Sequence, residues 1–331
     1  MQPISLTRLY KYDFREGLKY IKSLTNKPFG VNITILPKTV ASARYAEMNE
    51  EFADVAIEEG VKFLLTSLGK PDEIVKKAHE NGVKVYHDVH NAKLAMRAVD
   101  AGVDGLNLLN SRMGGQTGSL TKEQIVADVR EALGDAHGSF PLLCAGGIST
   151  AEDLKESLNL GYAGAQCGTR FLATKEAEIT KEYKVSYGIM QVIIMQVYIS
   201  KCTRCVVVLT PPVLAQDAIV NASSKDIVWT NKLAGTNSSV INTETVSEGG
   251  LRTNSFVSFM LKQRMTKSLT RLFLLNAALD KYAQAAFDPA VQYWQAGKGV
   301  EGIDEILTCE EVIRRFEGAG DPLSIEKKLP I

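Results

Sequence analysis

The sequence predicts an α/β fold in which strands and helices alternate around a parallel sheet. Its main sign is a repeat: an amphipathic segment ends in glycine, and a short apolar segment follows at once, at Gly60, Gly82, Gly102 and Gly161. Glycine suits the residue after a helix, and apolar residues suit a strand covered on both faces. The first three glycines are 22 and 20 residues apart, which is room for one strand and one helix.

The same pattern places each element in order. Before the first strand, DFREGLKYIKSL reads as a helix, and capping-box patterns at Thr121-x-x-Gln124 and Ser149-x-x-Glu152 mark two later helix starts. We expect strands near 29–36, 61–67, 83–88, 103–109, 141–145 and 163–168. We expect helices near 41–59, 71–81, 91–101, 121–133 and 150–160. Six such units fit an eight-stranded barrel or a doubly wound sheet.

Composition excludes several classes of function. The 331 residues are 45% hydrophobic, enough for one barrel or two domains, and 38 basic residues balance 38 acidic ones. Zero net charge argues against nucleic-acid or membrane-surface partners. The first residues contain no apolar signal segment, and the one CxxC, at Cys202 and Cys205, has no second pair. We therefore expect a cytoplasmic protein with reduced thiols and no metal site.

Two glycine-bearing turns follow neighbouring strands and indicate a phosphate site. They are CAGGIST, with Gly146 and Gly147, and QCGTRF, with Gly168 and Thr169. Each presents backbone N–H groups without a Cβ in the way, and the first leads into a capped helix. In eight-stranded barrels the phosphate site commonly follows strands seven and eight. The alternative is two tight turns that bind no ligand.

Several segments together resemble the nitronate monooxygenase family, also called the 2-nitropropane dioxygenase family. They are PFGVNITILP, MGGQTG, LLCAGGIST, AQCGTRFLATKEA, DIVWTNKLAGTNSSVINT and YWQAGKGVEGIDEI. The resemblance covers about residues 28–184 and 225–316. It implies a TIM barrel, the (β/α)8 fold, that binds FMN without a covalent bond.

The resemblance also implies roles for individual residues. Asn32 would lie beside the isoalloxazine ring, and the double glycine of MGGQTG would lie close to the flavin. A segment near residue 297 would close over it, with lysine where glutamine is commoner. The cofactor-binding residues implied in this way are Asn32, Gly114, Gly115, Gly146, Gly147, Gly168, Thr169, Gln295, Gly297 and Lys298.

Gln116 stands where many relatives have a histidine that acts as the catalytic base. An amide takes no proton near neutral pH; it can only orient a substrate or donate hydrogen bonds. His87, at the end of the strand VKVYH, is the nearest substitute for that base. Gln116 and His87 are therefore the candidate catalytic residues.

Two features depart from the family. Counting back from the phosphate turns makes FGVNITIL the third strand, so we expect a barrel lacking its first one or two strands, with the strand near Phe29 at an open edge or covered by an insert. That insert, 185–221, is apolar, and its run 189–199 is too short to span a bilayer. The expected division is a barrel at 1–184, the insert at 185–224 and a helical cap at 225–331.

The expected function is FMN-dependent oxidation of alkyl nitronates by O2 to carbonyl compounds and nitrite. One alternative is an NAD(P)H:quinone or enoyl reductase on the same barrel. Another is a truncated, non-catalytic relative. Expected partners are small molecules only, with neither nucleic acid nor a membrane, and a homodimer is left open.

Overall fold

The computed structural model describes residues 14–35, 43–135, 138–175, 218–232, 237–263, 266–267, 269–270, 273–274 and 294–317. The insert 185–221 lies outside the described residues except for its last four positions. Most of residues 256–287, in the expected helical cap, lies outside them too, as do the chain ends.

The elements follow one another as strand–helix units. The helices are α1 Phe14–Leu24, α2 Ala43–Glu58, α3 Asp72–Glu80, α4 Ala92–Asp100, α5 Lys122–Leu133, α6 Ala151–Asn159, α7 Thr169–Leu172, α8 Glu244–Gly249, α9 Ser255–Lys262 and α10 Cys309–Glu317. The strands are β1 Gly30–Ile35, β2 Phe63–Leu68, β3 Lys84–Val89, β4 Gly105–Leu109, β5 Gly115–Gln116, β6 Leu142–Ala145, β7 Gly164–Gln166, β8 Ile227–Thr230 and β9 Ser238–Ile241. Short 3-10 helices span Ser224–Asp226 and Lys298–Gly302.

The main sheet is parallel, with strand order β1-β2-β3-β4-β6-β7. The α/β fold class and the six expected strands are confirmed, each strand lying within two residues of its expected bounds. Parallel order follows from the helical crossovers between successive strands. It sets the carboxyl ends of all six strands along one rim, which we call the mouth.

Alternation along the strands gives the sheet two different faces. One face packs against the helices and carries the main apolar core, for example Val31, Leu64, Val85, Leu106 and Leu142. The other, which we call the inner face, carries the alternate residues, among them Leu65, Tyr86 and Leu143. Phe63 and Tyr86 meet edge to face here, with ring centroids 5.0 Å apart. Polar inner-face residues therefore point into the barrel interior rather than toward the helices.

The first strand lies at an edge of the sheet. Among the described residues β1 pairs with β2 alone, and the chain from 14 to 27 before it contains helix α1 and no strand. This agrees with the strand count made from the phosphate turns. Nearly all of the insert lies outside the described residues, so the expectation that it covers this edge stays a prediction.

Helix starts explain where the loops at the mouth end. Thr121 and Gln124 form the expected capping box at α5. At α6 the expected box was one residue out of register: the structure uses Thr150 and Asp153 rather than Ser149 and Glu152. Asp153 serves because its shorter carboxylate still reaches the backbone N–H of Thr150, at 2.9 Å. That shift frees the Ser149 hydroxyl from a capping role.

A second, antiparallel sheet, β5-β9-β8, joins the mouth loop to the region after 225. The region expected as a helical cap, 225–331, also contains the strands β8 and β9. Ile227, Val228, Val240 and Ile241 are β-branched and favour extended backbone, and β9 pairs with the two-residue strand at Gly115–Gln116. No helix in the described part of the chain is both long enough and apolar enough to cross a membrane.

Candidate active site

The two glycine turns lie side by side at the mouth. Strands β6 and β7 are neighbours, and Ala145 pairs with Gln166 in their register. The residues that follow, Gly146–Gly147 and Gly168–Thr169, therefore leave the sheet at adjacent points. Gly147 has φ +75°, in the left-handed region that favours glycine. Parallel pairing of the two strands thus sets two separate glycine motifs side by side.

The segment around Gly297 packs over the two glycine turns. Its backbone N–H donates to Thr169 Oγ1 at 3.0 Å, and the N–H of Lys298 donates to the carbonyl of Arg112 at 2.9 Å. A Cβ at Gly114 would lie 2.6 Å from the nitrogen of Gly297, so only glycine allows this approach. The contacts therefore bring together Gly114, Gly147, Gly168, Thr169, Gly297 and Lys298.

Sequence reasoning did not single out Arg112, which bridges these elements. Its guanidinium donates to Glu301 Oε2 at 2.7 Å and to the carbonyl of Lys298 at 3.1 Å. A Cβ at Gly147 would lie 2.6 Å from Arg112 Nε, so the arginine side chain lies directly against the first glycine turn. In the sequence, only its position directly before MGGQTG could have indicated that Arg112 belongs to the site. It places a cation beside the proposed phosphate cradle.

Asn110 fixes the loop that carries the double glycine, and it too was missed. Its side chain donates to the carbonyl of Gly146 at 2.9 Å and accepts from the backbone N–H of Arg112 at 2.8 Å. Its own carbonyl accepts from Thr117 Oγ1 at 3.0 Å. Because Asn110 is 1% exposed, these bonds are shielded from water and hold the mouth loop to the first glycine turn.

Several buried polar atoms of the described residues make no hydrogen bond. Among the described residues, Ser149 Oγ, Asn32 Oδ1, Asn107 Oδ1 and Ser239 Oγ are buried and make no hydrogen bond. Ser149 Oγ lies against Gly299, which is itself next to Gly147. Buried polar atoms usually have partners, so the orphaned hydroxyls of Ser149, against Gly299, and of Ser239, opposite Gly115, fit a bound ligand. The two glycine turns and these unpaired atoms fit a ligand with a phosphate and a polar, flat ring, such as a flavin.

Gln116 lies in the small sheet, opposite Ser238 in the antiparallel register. Its side chain is half-buried, and no hydrogen bond to another described residue engages its amide. The side chain of Gln295 lies against Gly115, whose Cβ would be 2.8 Å from Gln295 Oε1. The amide of Gln116 is therefore available to a ligand.

His87 lies on the helix-side face of β3 rather than on the inner face. It alternates with Tyr86 and Asp88 and shares its face with Val85 and Val89 of the main core. The ring is buried, and its Nδ1 lies 2.8 Å from Thr66 Oγ1. Burial lowers the pKa of His87 to about 4. The ring is therefore neutral and weakly basic, and it points away from the inner face.

The inner face carries a polar chain that was not foreseen. Asn107 Nδ2 donates to Asp88 Oδ1 at 2.7 Å and also to Gln166 Oε1. Asn107 is fully buried, whereas Asp88 and Gln166 are partly exposed. Burial raises the pKa of Asp88 to about 7, against the smaller, opposing effect of the Asn107 hydrogen bond. Alternation along VKVYHDV and GLNLL could have placed Asp88 and Asn107 on one face. Gln166 was considered only as part of the second glycine motif, so its contact with Asn107 was not expected.

No group of three metal-binding side chains occurs among the described residues. The fold defines a (β/α)-barrel type of protein in which two glycine turns follow the last two parallel strands. The sequence profile of the nitronate monooxygenase family matches residues 11–198, more than half of the chain. The chain belongs to the nitronate monooxygenase family, a family of flavin-dependent oxidoreductases.

The chain is also similar to curated proteins over part of its length. A Rhodococcus jostii protein named (3aS,4S,5R,7aS)-5-hydroxy-7a-methyl-1-oxo-octahydro-1H-indene-4-carboxyl-CoA dehydrogenase is 31% identical over 175 residues, which are 53% of this chain and 46% of that protein. The chain therefore matches less than half the length of this relative.

Two solved structures share the fold. FabK from Thermotoga maritima gives a TM-score of 0.67 at 21% identity, covering 95% of this chain and 82% of that one. Nitroalkane oxidase from Streptomyces ansochromogenes gives 0.62 at 18% identity, covering 94% and 86%. Both likenesses concern the barrel-type fold.

Proposed function

We propose that the protein is an FMN-dependent oxidoreductase that converts alkyl nitronates and O2 into carbonyl compounds and nitrite. The observation that carries the proposal is the junction of two glycine turns with the Gly297 segment at one mouth. Family membership supplies the reaction class. The activity, its substrates and a cytoplasmic location are all proposals.

The glycine turns are suited to hold the FMN phosphate. Among the described residues, the backbone N–H groups of Gly147 and Gly168 donate to no other residue. The unpaired Ser149 hydroxyl and the cation of Arg112 lie beside them. N–H groups, a hydroxyl and a guanidinium are the donors that bind phosphate in proteins. Asn32 and Asn107 offer unpaired acceptors to donors on the ring system and its side chain.

The substrate side of the proposal rests on Gln116. A nitronate is an anion whose charge lies largely on the nitro oxygens, and the Gln116 amide can donate to such an oxygen. Lys298, at the rim, adds positive charge that favours an anionic substrate. The bound flavin supplies the redox chemistry. The chain itself binds and orients the anion and limits the access of water.

Turnover of a preformed nitronate tests this function. The holoenzyme, loaded with FMN, is given ethyl nitronate, and O2 consumption and nitrite release are followed together. We expect both, and we expect Gln116→Leu to raise KM because the donor to the nitro oxygen is gone. Gln263→Leu, at the exposed residue that follows helix α9, is the matched control. Absence of both O2 uptake and nitrite in the flavin-loaded protein contradicts the proposal.

A reductase is the second candidate, and one observation favours it. The 31% identical relative is named as a dehydrogenase of a carboxyl-CoA compound, so a thioester substrate occurs among similar chains. The discriminating assay is anaerobic oxidation of NADH or NADPH by the FMN-loaded protein with a quinone or an enoyl thioester. Rapid NAD(P)H oxidation without nitronate turnover would favour the reductase.

A further inference from the structure

Neither Gln116 nor His87 is suited to act as a base on a neutral substrate at the mouth. Gln116 cannot accept a proton near neutral pH, and His87 lies on the helix-side face of the sheet. A neutral nitroalkane has to lose a proton from the carbon that bears the nitro group before it becomes a nitronate. A group that accepts this proton must lie on the inner face, be reachable, and titrate near the working pH.

Asp88 meets the geometric conditions. It lies one residue from the carboxyl end of β3 and alternates with the helix-side residues His87 and Val89, which places it on the inner face. It is partly exposed while its neighbours Tyr86 and Asn107 are buried. The residue as a whole is partly exposed, but its carboxyl group is enclosed by protein closely enough for burial to raise its pKa.

The residues around Asp88 orient it without neutralising it. Asn107 Nδ2 donates to Oδ1 at 2.7 Å, and the same nitrogen holds Gln166, two residues before the second glycine turn. Asn107 Oδ1 is left buried without a partner, so the cluster still lacks a donor that a ligand could provide. The described inner-face residues of β2 and β4, and Tyr86 of β3, carry no charge at neutral pH, because burial raises the pKa of Tyr86 further above its ordinary value.

We propose that Asp88 is the proton acceptor that extends the reaction to neutral nitroalkanes. In this step an Asp88 oxygen bonds the proton, the C–H bond breaks, and its electron pair becomes the C=N bond of the nitronate. The nitro group takes the negative charge, and Asp88 becomes a neutral acid that later returns its proton to water. The step consumes no oxidant. It rests on the proposed function for its substrate class.

The pKa of Asp88 also suits a proton acceptor. Burial raises the pKa of Asp88 to about 7, so near neutral pH the group is divided between acid and base. A base with a pKa near the working pH combines a sufficient ionised fraction with adequate basicity. The Asn107 bond alone would have lowered the pKa; burial outweighs it.

Proton exchange tests the inference separately from redox turnover. Nitroethane is incubated with the protein in D2O without O2, and loss of the methylene signal is followed by proton NMR against a buffer blank. We expect exchange by the wild type, and a fall of about 100-fold or more in Asp88→Asn, which can still accept from Asn107. Asp54→Asn removes a carboxylate that pairs with Lys77 on the surface, and it should exchange like the wild type.

Several outcomes separate the two proposals. Wild-type exchange no faster than buffer, or unchanged exchange in Asp88→Asn, overturns the role of Asp88. Exchange that depends on Asp88 without any nitronate oxidation overturns the proposed function instead. If Asp88→Asn fails to fold, the wild-type pH profile decides: exchange should rise with pH through about 7 and then level off, and a flat profile between pH 5 and 9 contradicts the inference.

Discussion

The backbone N–H of Gly297 donates to the hydroxyl of Thr169 at 3.0 Å, although 128 positions separate them along the chain. This bond joins the segment that covers the mouth to the second glycine turn. Thr169→Val removes the acceptor and leaves the buried N–H unpaired, whereas Thr169→Ser keeps it. A hydrogen bond of this kind contributes about 1 kcal/mol, so we expect FMN to bind roughly fivefold more weakly to the valine variant.

Flavin fluorescence titration measures this difference. The serine variant is the control and should bind FMN like the wild type. Equal affinities for the valine and wild-type proteins would show that the Gly297–Thr169 contact does not shape the cofactor site.

Gly147 and Gly60 form a matched pair for testing the phosphate cradle. Their φ angles are +75° and +76°, so an alanine costs each about 1–2 kcal/mol of backbone strain. A Cβ at Gly60 meets nothing within 4 Å, whereas one at Gly147 meets Arg112 Nε at 2.6 Å. Gly60→Ala should lower stability and leave FMN affinity unchanged, while Gly147→Ala should also weaken FMN binding.

The variant Gly147→Asp tests the effect of charge at the first glycine turn. Its carboxylate would repel the FMN phosphate and compete for Arg112, so we expect weaker binding than in Gly147→Ala, by several kcal/mol in total. Isothermal titration with FMN gives the comparison. FMN affinity unchanged in Gly147→Asp would refute the assignment of this turn to phosphate.

Asp88 and His87 should act on stability in opposite directions as pH changes. The folded pKa of Asp88 is raised from 3.8 to about 7, so the folded state holds more protons than the unfolded state between these values, and stability falls as pH rises through this window. The folded pKa of His87 is lowered from 6.5 to about 4, so stability rises with pH between these values.

The two effects oppose each other in the wild type, so the variant difference isolates Asp88. Relative to the wild type, Asp88→Asn should gain unfolding free energy between pH 4 and pH 8, with an upper limit of about 4 kcal/mol. Urea unfolding at both pH values measures this gain. A variant whose relative stability is the same at both would mean that Asp88 has an ordinary pKa in the fold.

Gln116→His should return a base to the position where many relatives have one. In an Asp88→Asn background we expect this change to restore turnover of neutral nitroalkanes. Nitronate turnover should stay within about tenfold, an effect of about 1.4 kcal/mol or less. Nitrite release from nitroethane and from ethyl nitronate, measured side by side, gives the result. No rescue of nitroethane turnover would mean that position 116 does not reach the substrate carbon.

The strand–helix order could be predicted because it depends on local signals. Glycines such as Gly82 and Gly102 end helices, and apolar segments start immediately after them, so each element carries its own boundary. The glycine turns could be placed together for the same reason, since parallel neighbours end at one rim. The antiparallel sheet escaped prediction because β5 has two residues and gains its pairing from a distant strand.

The catalytic residues were harder to predict because the decisive information is which face a side chain occupies. His87 ends an apolar strand and looked available, but its alternation with Asp88 turns it toward the helices. Arg112 and Asn110 act through contacts with residues far along the chain, Glu301 and Gly146. Such contacts leave no periodic trace in the sequence.

The most direct test of the central claim is the cofactor itself. The purified protein is examined for a flavin absorption band, denatured to identify the released flavin, and, if colourless, titrated with excess FMN and with excess FAD. We expect FMN, released or taken up at close to one per chain, and lost in Gly147→Asp. A colourless protein that binds neither flavin, or one that holds FAD alone, would contradict it.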